Sequence, residues 1–201
     1  MVVGVLAASA RAESPAPTSE AVARFEAPPA DKEPALGAMK AYFRGEIYGG
    51  FTLIGMGVAG LSLGGALYAT ADGRDSFTYA SYPLLGLGSL HLLAGVFVNV
   101  SSVRRIGKFG KTIDVDPEDW VRREEKRMRG VEKQFLVLKI VEGVGIAGGI
   151  GLAAYGRETD RPKLTGFALA FAGECLATLI FDVVAARRAK RYRTALGKIT
   201  F

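Results

Sequence analysis

The sequence predicts an all-α, polytopic membrane protein, with four transmembrane helices as two duplicated helical hairpins and an amphipathic connecting helix between them. Three observations predict this. Charged residues are almost absent from four windows, at about 48 to 70, 82 to 103, 134 to 156 and 164 to 186, each close to the roughly 20 residues that a membrane-spanning helix needs. The first window, YGGFTLIGMGVAGLSLGGALYAT, has no polar face at helical spacing, which a soluble four-helix bundle would require. The two hairpins also align with each other. LSLGGALYA lies over GGIGLAAYG with Tyr68 on Tyr155, and LHLLAGVFVNVSSVRR lies over GECLATLIFDVVAARR with His91 at the place of Glu174 and Asn99 at that of Asp182. Matched polar positions and matched arginine exits carry this internal repeat; similarity among Gly and Leu alone counts for little. The alternation of apolar and polar residues that a membrane β-barrel needs is missing.

Each element follows in order. Residues 1–12, MVVGVLAASARA, read either as the remnant of a signal peptide, with Ala10 and Ala12 in an A-x-A cleavage pattern but no basic start, or as an apolar tail. Residues 13–45 are rich in Pro, Ala, Glu and Ser and read as a disordered spacer that cannot build a core. The first hairpin occupies residues 46–105. Residues 106–133 form the amphipathic connecting helix, whose start is predicted at Pro117: Asp116 caps it, and Glu118 and Asp119 sit at the positive end of its dipole. Glu118 with Arg122, Asp119 with Arg123 and Glu125 with Arg129 are acid-before-base pairs four residues apart, each contributing about 0.2–0.5 kcal/mol. The thin apolar stripe of Trp120, Met128, Val131 and Phe135 suits the head-group boundary of a bilayer, a solvated linker being the alternative. The second hairpin takes residues 134–188, and residues 189–201 form a basic tail.

The net charge of +6 belongs to the ends of the apolar windows. Residues 101 to 134 carry ten Lys and Arg and the tail after Ala186 carries six, whereas the two hairpin loops together carry four. The positive-inside rule then places both termini and the central segment in the cytoplasm; a cleaved signal would require the reverse, and the charge count is favoured. A bacterial inner membrane suits this chain. Anionic head groups of the lipid bilayer are the expected partner of its basic ends, with a homo-oligomer or a membrane protein partner along its glycine faces, and nucleic acid is not expected.

An ionisable residue at mid-membrane costs about 2.5–3.5 kcal/mol on insertion scales, so such groups seek partners or water. Counted along the helices, His91, Glu142 and Glu174 lie at depths that allow an intramembrane polar cluster, and Lys139 and Asp182 lie at depths that allow a salt bridge. The cluster can serve as polar glue between helices, as a proton or ion path, or as a metal site, the last disfavoured because no pair has the spacing of a helical metal motif. No metal or other cofactor is expected; a single His and four Met make haem a poor fit. Gly60 with Gly64 and Gly145 with Gly149 form G-x-x-x-G faces for close helix packing. RIGKFGKT at residues 105–112 ends like a phosphate-binding loop, but Arg105 stands where its first glycine belongs. The lone Cys175 allows no intrachain disulfide, and no catalytic set can be assembled. The expected function is a structural or interaction module of the cell envelope, not an enzyme, the alternative being a small proton-linked transporter or ion conductor working through His91, Glu142 and Glu174.

Overall fold

The computed structural model describes residues 32–199, so the expectations for residues 1–12 and for the spacer before residue 32 lie outside the described residues. Among these, the chain forms four helices: α1 Lys32–Ala69, α2 Asp75–Val115, α3 Pro117–Glu158 and α4 Pro162–Leu196. Each is long and apolar enough to cross a membrane, which makes this a multi-pass membrane protein. Their lengths of 35 to 42 residues correspond to roughly 53–63 Å, about twice the thickness of a hydrocarbon core. The surplus lies at one end. The connections at the other end, Thr70–Arg74 and Thr159–Arg161, follow closely on the apolar windows, whereas α1 starts well before its window and α3 well before its own.

Two boundaries differ from the sequence reading. Residues 32–45, read as spacer, are the first turns of α1, because Ala35, Met39, Tyr42 and Phe43 give that stretch a buried face. The connecting helix of residues 106–133 is not a separate element: 106–115 continue α2, the chain reverses at Asp116, and α3 runs unbroken from Pro117 into the third window. The start itself falls where the sequence puts it, with the Asp116 carboxylate accepting from the Asp119 amide at 3.0 Å. Asp119 pairs with Arg123 at 2.8 Å and with Arg122 at 2.5 Å, and Glu125 meets Arg129 at 3.9 Å; Arg122 thus turns to Asp119 in preference to Glu118. The apolar stripe of α3 faces protein. Trp120 is 3% exposed and Met128 fully buried, in a core that gathers Met39 and Phe43 of α1, Ile113 of α2 and Ala189, Tyr192 and Leu196 of α4. Four helix ends converge there, and together they cover a stripe too narrow to bury itself against lipid.

One pattern runs from this core through the apolar windows. In α1, Phe43, Gly50, Gly57 and Gly64 are buried at intervals of seven; in α3, Val121, Met128, Glu142, Gly149 and Gly156 occupy a row of the same period. In α4 the row is Ala168, Cys175, Asp182, Ala189 and Leu196. A seven-residue repeat keeps a seam against its neighbour along the whole length of a pair of helices crossing at a shallow angle. Accordingly α1 packs along α2 and α3 along α4, and α2 lies against α4 to join the hairpins, while α1 and α3 barely meet. The first hairpin loop turns through Asp72 and Gly73 at φ 44° and 77°, and the second through Asp160 at φ 52°, residues suited to left-handed backbone. Outside the seams the windows expose Leu93, Phe97, Val144 and Ile180, side chains that lipid solvates.

Candidate functional site

The seams bring the polar residues of the apolar windows inward. His91 of α2 and Glu174 of α4 are both buried, and Glu174 Oε2 lies 3.6 Å from His91 Nδ1. Thr178, one turn beyond Glu174 on α4, completes the arrangement. Its hydroxyl donates to the Glu174 carbonyl at 2.8 Å, which uses its only proton, so at 3.0 Å it accepts from His91 Nε2. That network assigns the Nε2–H tautomer and leaves Nδ1 facing Glu174. At 3.6 Å the two groups face each other without a hydrogen bond, and Nδ1 is buried without a hydrogen-bond partner.

Glu142 is not part of that group. Its carboxyl lies beside that of Asp182, so the expected cluster of His91, Glu142 and Glu174 divides into two pairs, with Cys175 close to both Glu142 and Glu174. The second oxygen of Glu142 is buried without a partner. The salt bridge expected between Lys139 and Asp182 does not form: among the described residues no such pair lies within 4.0 Å. Glu142, on the buried row of α3, takes the place facing Asp182, while the half-buried Lys139 lies off that row.

The G-x-x-x-G faces close the hairpins. A methyl group at Gly60 would stand 3.1 Å from Gly88 Cα and 3.3 Å from Glu174 Oε1, so the missing side chain makes room both for α2 and for the carboxyl. Gly64 meets Leu85 at 2.9 Å, Gly145 meets Cys175 Sγ at 2.7 Å, and Gly149 meets Ala172 Cβ at 2.8 Å on the same measure. These faces are used within the chain and are not free for a second copy. Residues 105–112 are a continuous part of α2, so the resemblance of RIGKFGKT to a phosphate-binding loop ends there. Among the described residues no three His, Cys, Asp or Glu side chains converge to hold a metal ion.

A second polar group, not foreseen from the sequence, lies at the basic end and draws on all four helices. Arg127 donates to both oxygens of the buried Glu124, at 2.8 and 2.6 Å, and the Tyr192 hydroxyl donates to Glu124 Oε1 at 3.2 Å. The Tyr192 ring stacks on Tyr42 with centroids 4.3 Å apart; the Tyr42 hydroxyl donates to Glu46 Oε1 at 2.6 Å, and Ser102 donates to Glu46 Oε2 at 2.9 Å. Burial, then the adjacent Glu46 carboxylate, pushes the Tyr42 phenol well above its ordinary range, and burial with the Glu124 charge does the same to Tyr192. Burial opposes the charge on Arg127, but the hydrogen bonds and charge of Glu124 outweigh it and raise its pKa. Helical spacing contained a signal for this group: Tyr42 with Glu46, and Glu124 with Arg127, are neighbours on one helix face.

No known family model matches the chain, and neither a curated protein nor a solved structure matches it.

Proposed function

We propose that this chain is a structural and interaction module of a membrane, in which buried polar side chains clasp two helical hairpins together and the bundle beyond the basic membrane face meets partners. The observation that carries this reading is the contact of His91 with Thr178 and Glu174, which spends the most deeply placed titratable groups on joining α2 to α4. The hairpins are copies from a duplication. His91 and Glu174, matched in the alignment, touch across the α2 to α4 junction, as equivalent residues beside a shared axis would. The membrane is a bacterial inner membrane with the basic end in the cytoplasm, supported by the charge distribution.

A second reading, a proton-linked conductor, is favoured by one observation: polar groups descend from Tyr42, Glu46 and Ser102 past Asp182 and Glu142 to Glu174 and His91. Glu174→Gln separates the two. Under the clasp reading the protein keeps its melting temperature within a few degrees, and reconstituted vesicles show no flux that the variant loses. A folded variant that abolishes a measurable proton flux of the parent establishes the conductor instead.

A further inference from the structure

We infer that the cleft between α1 and α4 at the basic membrane face is a binding site for the phosphate of an anionic phospholipid. Its walls are Ala38, Ala41 and Tyr42 of α1 and Arg188, Arg191 and Ala195 of α4, around a cavity of about 240 Å³. Arg188 is the built part of the site. Its Nη1 donates to the Gly45 carbonyl, and its side chain lies across α1 because Gly45 and Gly49 have none: a methyl group at Gly45 would come within 2.6 Å of Arg188 Cδ, and one at Gly49 within 3.2 Å of Nη1. Two neighbouring buried or half-buried arginines of this end are taken up by carboxylates, Arg127 by Glu124 at 2.6 Å and Arg193 by Glu132 at 3.0 Å. Among the described residues neither Arg188 nor Arg191 has a carboxylate within 4.0 Å. The guanidinium held in the cleft therefore keeps donors for an outside anion, and Arg191 stands one turn further along the same wall.

Depth selects the anion. The apolar window of α4 ends at about residue 186, so Arg188 and Arg191 stand roughly 3 and 8 Å beyond it, within the head-group layer of about 5–8 Å on each side of a bilayer. A phospholipid phosphate lies at that level. Its acyl chains would run down beside the exposed Val184, and the head group would extend along Ala38 and Ala41. Beside Arg191 the end of α4 and the residues just after it carry Lys190 and Lys198, which favours a head group without a positive charge of its own.

The test uses the full-length protein by native mass spectrometry, with phosphatidylglycerol, phosphatidylcholine and inorganic phosphate as probes. Phosphatidylglycerol is expected to be retained in preference to phosphatidylcholine. Arg191→Gln, at an exposed position, should weaken retention about fivefold, whereas Lys108→Gln, which removes the same charge from the exposed face of α2, should leave it unchanged. Arg188→Gln should weaken retention further, but it also removes the bond to Gly45, so Arg191 carries the comparison. Equal weakening by Lys108→Gln reduces the effect to diffuse surface charge and overturns the site. Equal retention of phosphatidylcholine, or displacement of the lipid by millimolar inorganic phosphate, overturns the lipid assignment.

Discussion

Two carboxyl groups in contact behave differently from an ion pair under substitution, and Glu142 with Asp182 are expected to behave as carboxyls do. Glu142→Gln provides Asp182 with an amide donor, so thermal stability in detergent should hold or rise, whereas Glu142→Ala should lower it by about 1–3 kcal/mol. Lys139→Ala and Asp182→Ala should couple only weakly in a double-mutant cycle, because Lys139 reaches Asp182 through its charge and not through a direct ion pair; coupling as strong as that of a formed ion pair would contradict the geometry. The tyrosines give a pH dependence. Native Tyr42 and Tyr192 ionise above their ordinary value of 10.0, so the stability they contribute is fully present below about pH 10 and is lost as pH rises beyond it. Fluorescence of Trp120, the one tryptophan of the chain, should report unfolding of the basic-end core above that pH, and Tyr42→Phe with Tyr192→Phe should flatten the profile. At this scale the sequence located His91 and Glu174 by counting residues from the window ends. The same depth arithmetic misassigned Asp182, because depth says nothing of azimuth: Lys139 and Glu142 differ by less than a turn in height, yet only Glu142 is on the buried row.

Glycines separate the seams of the helices from their outer faces. Gly57 of α1 leaves room for Leu92, whose backbone nitrogen would stand 2.6 Å from an added methyl, whereas Gly148 of α3 has nothing within 4 Å. Gly57→Ala should therefore destabilise the first hairpin by about 1–3 kcal/mol through overpacking, and Gly148→Ala should be neutral or gain up to about 1 kcal/mol of helix propensity. Melting both variants in the same detergent checks this, and equal losses would contradict the assigned faces. The apolar windows and the capped start at Pro117 were legible because lipid imposes a minimum apolar length and a cap imposes a residue type. The beginning of α1 was not. Pro, Ala and Glu dominate around it, and its four buried residues, Ala35, Met39, Tyr42 and Phe43, gain their value only from the ends of α2, α3 and α4, which lie far away in the sequence. The seven-residue rows would have revealed that face, but they are hard to see where Gly and Ala replace the usual large residues.

For the whole molecule, the charge distribution gives an orientation that labelling can check. Cysteines introduced at Asp75 and Asp160 should react with an impermeant reagent added outside intact cells, while one at Gly197 should not; labelling confined to position 197 would invert the protein. Either way the same rods occupy two solvents. α3 passes from the core around Trp120 and Met128 to the carboxyl pair at Glu142 without a break, and α4 passes from Glu174 to Tyr192 likewise. Among the described residues neither contains an internal proline that would serve as a hinge. The tyrosine stack and the contact of histidine with glutamate are thus joined by one uninterrupted length of α4. A partner gripping the aqueous end holds a shaft whose far end is set in lipid.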